Sequence, residues 1–137
     1  MRISQKLEYA CRALAQLAKR FDGRTITRLD ELAQREAVSA NFLVQILNDL
    51  RRAGIIQSRR GKAGGYQLAR PPESITLREI VEAVEPTLLQ FSSRAEGESG
   101  QSVRTVWEGI SERIQTQLEE VDLKQLAERG GEPMYYI

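Results

Sequence analysis

The sequence predicts a mainly α-helical protein with a small β wing: a winged helix-turn-helix unit followed by a long C-terminal helix. Three observations carry that prediction. Between Ser39 and Arg70 the chain reads as helix, strand, basic glycine loop and second strand. Just before it, Leu29, Leu32 and Ala33 recur at helical spacing and leave room only for a tight turn before the next helix. Further on, Val103, Val106, Trp107, Ile110, Ile114, Leu118 and Val121 form an apolar stripe of about five turns.

Taken in order, Ser4 caps a first helix to about Arg20, with Leu7, Cys11, Leu14, Ala18 and Phe21 on its inner face and Lys6, Arg12, Lys19 and Arg20 outside. Asp22-Gly23 turns the chain, and Thr25 to Thr27 is extended enough to add a strand to the wing. The helix of Leu29, Leu32 and Ala33 follows, with small Ala33 allowing a close crossing and Val38 filling the angle. Many such turns hold glycine where this chain has Ala37, so a positive φ there would cost on the order of 1 kcal/mol. Ser39 caps the next helix, whose inner face is Phe42, Leu43, Ile46, Leu47 and Leu50 and whose outer face carries Asn41, Gln45, Asn48, Arg51 and Arg52. Gly54 stops it. Residues 55–58 and 66–69 are the strands, flanking the cationic loop Arg59-Arg60-Gly61-Lys62-Ala63-Gly64-Gly65.

Pro71-Pro72 ends the second strand, because proline has no N–H for a continuing ladder. Thr76 caps a helix through Glu85, with Glu79 at the capping-box position and Pro86 closing it. The serine-rich stretch Ser92 to Ser102 reads as a mobile loop. The long helix Val103 to Val121 follows, then a short helix capped by Asp122 with Leu123, Leu126 and Ala127 inside. Gly130-Gly131 leads to the tail Glu132-Pro133-Met134-Tyr135-Tyr136-Ile137. The expected organisation is a DNA-binding unit over 1–85, a loop over 86–102, dimerisation helices over 103–129 and a tail over 130–137.

The net charge of +1 conceals two opposite halves. Residues 1–72 hold 14 Lys and Arg against 6 Asp and Glu, net +8, whereas residues 73–137 hold 6 against 13, net −7. A polyanion suits the first half and is repelled by the second. With no histidine and a single cysteine, the chain forms no internal disulfide and lacks most metal-site and nucleophilic chemistry. Cys11 reads as a small core residue, since a redox sensor needs an exposed thiolate of low pKa. The glycines of 61–65 imitate a phosphate cradle but join two strands instead of opening a helix, so no nucleotide site is expected. No catalytic residues, metal ligands or cofactors are assigned, and the chain is not read as an enzyme. No apolar run approaches the roughly 20 residues that span a bilayer and no signal peptide is visible, so a cytoplasmic protein is expected.

These residues resemble the Rrf2 family of winged-helix repressors, typified by IscR and CymR, over nearly the full length. The resemblance is carried by Ser4, Lys6 and Tyr9-Ala10, by Leu43, Gln45 and Leu50-Arg51-Arg52-Ala53-Gly54, and most diagnostically by Arg60-Gly61-Lys62-Ala63-Gly64-Gly65-Tyr66. Leu68-Ala69-Arg70-Pro71-Pro72 with Ile75-Thr76-Leu77, and Trp107 in the long helix, extend it. Three departures are informative. Members that sense iron-sulfur status carry three cysteines before the long helix, where this chain has Ser92, Ser93, Ser99 and Ser102; serine does not hold such a cluster. The usual glutamate between the leucine and glutamine of the recognition helix is Val44, which makes only apolar base contact. Leu7 and Glu8 replace a frequent glycine and basic residue.

The expectation is therefore a cluster-free regulator, a repressor by resemblance, that acts as a homodimer on a palindromic operator. Lys6, Ser39, Asn41, Gln45, Arg51 and Arg52 would contact phosphates or bases, and Arg59, Arg60 and Lys62 would carry the wing to the adjacent minor groove or backbone. Phe42 is read as core. Val103, Val106, Trp107, Ile110, Ile114 and Leu118 would form the dimer contact. The cluster-free branch resembling CymR implies cysteine metabolism and cysteine synthase as a partner, through Tyr135, Tyr136 and Ile137. The alternative use of that tail is packing on its own dimer. A second class of function is a protein-interaction module that has lost DNA binding and acts through its acidic half and tail.

Overall fold

A computed structural model describes residues 2–90 and 94–129. Helices α1 (Gln5–Lys19), α2 (Leu29–Glu36) and α3 (Ala40–Arg52) precede strands β1 (Ile56–Arg59) and β2 (Gly65–Leu68); α4 (Leu77–Val84), α5 (Gly100–Glu119) and α6 (Leu123–Arg129) follow. Short 3-10 turns at Pro72–Ser74 and Pro86–Leu89 bracket α4, each with proline in its first turn. The winged helix-turn-helix is as expected.

The caps are made by the residues predicted. Ser4, Ser39 and Thr76 accept from the backbone N–H of Leu7, Phe42 and Glu79. Glu79 departs from the capping-box reading: its carboxylate is engaged by Arg70. The turn between α2 and α3 puts Ala37 at φ 56°, ψ 49°, in the left-handed region, while the Val38 N–H returns to the Ala33 carbonyl at 3.0 Å. That region costs a β-carbon-bearing residue ~1–2 kcal/mol. Ala37→Gly removes the penalty and adds ~0.4–1 kcal/mol of unfolded-state entropy, so a net stabilisation of about 0.5–1 kcal/mol is expected. Thermal unfolding checks it: Tm should rise by a few degrees, and an unchanged or lower Tm would show that the turn carries no strain.

One core gathers Leu14, Leu32, Leu43, Ile46, Leu47, Leu50, Ile55, Ile75 and Ile80, all essentially inaccessible. Leu123 of α6 belongs to it. The chain entering α6 is tied to the start of α4 by Leu77 N–H to Val121 O (2.8 Å) and Leu123 N–H to Ile75 O (3.0 Å), which lays α6 against α1. Because α1 is packed by α2, α3, α4 and α6, its inner face is wider than the expected stripe. Ala10, Ala13 and Leu17 are buried beside Leu7 and Leu14, whereas Cys11 and Ala18 are half-buried and Phe21 is exposed.

The long helix begins at Gly100 instead of Val103 and ends at Glu119 instead of Val121. A β-carbon on Gly100 would lie 2.6 Å from the Ala95 carbonyl carbon, so glycine here permits a close chain approach at the helix start. Arg78 of α4 holds the far end of α5 through Glu119. Leu118 packs partly on the core. By contrast Val103, Val106, Trp107, Ile110 and Ile114 are 36–62% exposed. Among the described residues, no helix is long and apolar enough to cross a membrane.

Candidate nucleic-acid interface

Helix periodicity places Asn41, Gln45, Asn48 and Arg52 on one face of α3, opposite buried Leu43, Ile46, Leu47 and Leu50. Asn41, Gln45, Arg51 and Arg52 are exposed. The Ser39 hydroxyl oxygen caps the helix by accepting from the Phe42 N–H at 3.2 Å. Phe42 is half-buried and meets the Tyr9 ring edge-on at 5.6 Å, consistent with a packing role. Two neighbours modify the expected picture. Lys6 of α1 does not stand free in solvent: its ammonium lies 2.6 Å from the Asp49 carboxylate. The other carboxylate oxygen of Asp49 takes Arg52, also at 2.6 Å.

The wing is a two-stranded antiparallel ribbon with Ile56 opposite Leu68 and Arg59 opposite Gly65. Thr27 adds a single bridge to Tyr66, exchanging hydrogen bonds of 2.9 and 2.8 Å, so the expected third strand is present as one pair. This approach is why residue 65 has no side chain: a β-carbon there would sit 2.4 Å from the Thr27 carbonyl oxygen. Arg28 braces the wing tip by donating to the Lys62 carbonyl at 2.9 Å. Between the start of α2 and the wing lies an open groove of about 550 Å³ lined by Arg28, Asp30, Ser58, Arg59, Arg60 and Tyr66. Arg59, Arg60 and Lys62 are exposed and have no ion pair among the described residues. Sequence reasoning missed Arg28 and Asp49. Asp49 was visible as the lone acid on the polar side of the recognition helix, one turn after Gln45.

The profile of the Rrf2 family, described as iron-dependent transcriptional regulator, matches residues 3–129. This chain belongs to that family. It is 36% identical to the HTH-type transcriptional regulator IscR of Cereibacter sphaeroides over 141 residues, covering 97% of this chain and 91% of the relative. Its fold matches the solved structure of CymR, the global cysteine regulator of B. subtilis, with a TM-score of 0.81 and 30% identity, over 93% of this chain and 97% of that one. T. potens IscR superposes with a TM-score of 0.77 at 30% identity, covering 99% and 95%. The protein is thus a DNA-binding transcriptional regulator, and its relatives are regulators rather than enzymes.

The iron of the family description requires a matching set of donors. An iron-sulfur cluster is held by several thiolates, sometimes with histidine. The chain has one cysteine and no histidine. Cys11 sits half-buried on α1, on the wall of an apolar cavity of about 480 Å³ that Leu77, Val81, Ile114 and Leu118 also line. Burial first, and then the nearby Glu8 carboxylate, push its thiol up to about 11, so it is protonated at neutral pH. Ser99 and Ser102 offer hydroxyls, and among the described residues no three His, Cys, Asp or Glu side chains are grouped to hold a metal ion. The donor set does not suit a cluster. Ser92, Ser93 and the tail residues Tyr135, Tyr136 and Ile137 lie outside the described residues.

Proposed function

We propose that this protein is a homodimeric, cluster-free repressor of sulfur or cysteine metabolism that binds a palindromic operator in the cytoplasm. The observation that carries the reading is the combination of a polar recognition face on α3 with the unpaired cations of the wing that follows it. Lys6, Ser39, Asn41, Gln45, Arg51 and Arg52 position or read the major groove, while Arg59, Arg60 and Lys62 reach the flanking backbone or minor groove. The exposed stripe on α5 supports dimerisation, since two readers related by a twofold axis require a two-fold operator. The division into a DNA-binding unit, loop, dimerisation helices and tail is part of the same proposal. The metabolic assignment leans on the likeness to CymR, described as the global cysteine regulator of B. subtilis.

For the tail we propose capture by cysteine synthase: the Ile137 side chain would fill an apolar recess, with Tyr135 and Tyr136 adding ring contacts. Selection of genomic duplex fragments on the purified protein, with and without that enzyme, tests both parts. Enrichment of a palindrome supports the operator reading, and enrichment of nothing above input overturns it. Deleting Tyr135 to Ile137 should abolish enzyme binding while dimerisation and Tm stay nearly unchanged. Enzyme binding that survives the deletion, or a destabilised dimer, would favour a packing role.

The cluster-free part has its own test. Anaerobic reconstitution with iron and sulfide is expected to return a colourless protein, because the half-buried Cys11 thiol is the single soft ligand in the sequence. A visible absorption band at stoichiometric iron and sulfide would refute it.

A further inference from the structure

Asp49 is the acid on a face that otherwise meets DNA with cations and amides. It lies one helical turn after Gln45, and together with Lys6, Phe42, Gln45, Asn48 and Arg52 it lines a shallow depression between α1 and α3. Its two oxygens are divided between two helices: Lys6 comes from α1 at 2.6 Å, and Arg52 comes from the last turn of α3 at 2.6 Å. The Asp49 side chain is 23% exposed, against 39% for Lys6 and 71% for Arg52. The carboxylate is therefore the fixed centre of the trio and the two cations are its outer arms. Its carboxyl is held below the ordinary aspartate range, first by the hydrogen bond from Lys6, so it is charged at neutral pH.

We propose that Asp49 is a specificity-determining positioning residue of the DNA interface, holding Lys6 and Arg52 in one arrangement and penalising docking in the wrong register. The inference rests on the DNA-binding reading above. Two effects combine. Long Lys and Arg side chains carry large rotamer freedom, and pairing both to one carboxylate fixes where their charges stand relative to Gln45. The carboxylate also repels phosphate. In the register where Gln45 faces base edges, Asp49 lies toward the groove, whereas a shifted register brings a phosphate toward it and costs binding energy. On arbitrary DNA, phosphate contacts of Lys6 and Arg52 compete with their pairing to Asp49.

Asp49→Asn keeps the shape and removes the charge. The probes are a duplex selected from a random pool by the wild-type protein and a shuffled duplex of the same composition. Two released cations should steepen the salt dependence on shuffled DNA by up to about 1.8 and tighten binding there about tenfold at low salt. Affinity for the selected duplex should rise no more than about twofold, so discrimination falls roughly fivefold. Asp49→Glu should restore most of it. If the Asn variant keeps wild-type discrimination and salt slope, or loses affinity for both duplexes equally with a lower Tm, Asp49 is a structural ion-pair partner and the proposal is overturned. Failure of the wild-type protein to select any duplex would instead overturn the DNA-binding reading, and this inference with it.

Discussion

Replacing Arg59 and Arg60 together with alanine is expected to weaken operator binding by about one order of magnitude or more at moderate salt and to flatten its salt dependence. The reasoning starts from exposure. Both guanidinium groups are exposed on the wing and have no ion pair among the described residues, so neither is needed to hold the ribbon together. The ribbon is fixed by its own ladder, by the Thr27–Tyr66 bridge and by the Arg28 contact to the Lys62 carbonyl, none of which uses those side chains. Loss of two phosphate contacts lowers the slope of log K against log salt by roughly 1.8. Titrations at several salt concentrations, with Tm measured in parallel, check this. Unchanged affinity and slope would remove the wing from the interface, and would favour the protein-interaction reading.

The parts legible in the sequence were those governed by local chemistry. Ser4, Ser39 and Thr76 announce helix starts because a hydroxyl satisfies an otherwise orphan N–H, and each does so. The apolar spacing of Leu43, Ile46, Leu47 and Leu50 fixes which face of α3 turns inward and hence which residues remain toward solvent. What escaped depended on partners distant in sequence. The inner face of α1 is set by four helices packed around it, so Ala10, Ala13 and Leu17 join the core and Phe21 does not. Gly100 reads as loop composition, yet it opens α5 because the chain passes Ala95 too closely for a β-carbon. The role of Asp49 was not legible in α3 alone. Only the crossing of α1 brings Lys6 to it and turns one i,i+3 pair with Arg52 into a trio across two helices.

The largest effect on assembly is expected from Trp107→Glu. Along α5, Val103, Val106, Trp107, Ile110 and Ile114 project within one narrow arc and are 51, 62, 52, 42 and 36% exposed, while Leu118 at the far end turns toward the core. A stripe this apolar on one side of a 20-residue helix is unusual for a surface left in water. Fully burying large apolar side chains contributes about 1.5–3 kcal/mol each, so sharing this stripe with a second copy supplies a driving force for association, reduced by the freedom lost on binding. Glutamate keeps helix propensity and leaves the core untouched, but an interface would have to desolvate its charge, at a cost of several kcal/mol. The expected result is a dissociation constant for the dimer raised about a thousandfold or more, which is about 4 kcal/mol. Sedimentation should then show monomer at micromolar concentration, with Tm extrapolated to low concentration little changed. Thr105→Glu, on the opposite side of the same helix, should remain dimeric. A Trp107→Glu protein that stays dimeric would move the two-fold contact off α5, and a wild-type chain that is monomeric at the same concentration would leave the palindromic operator without its physical basis.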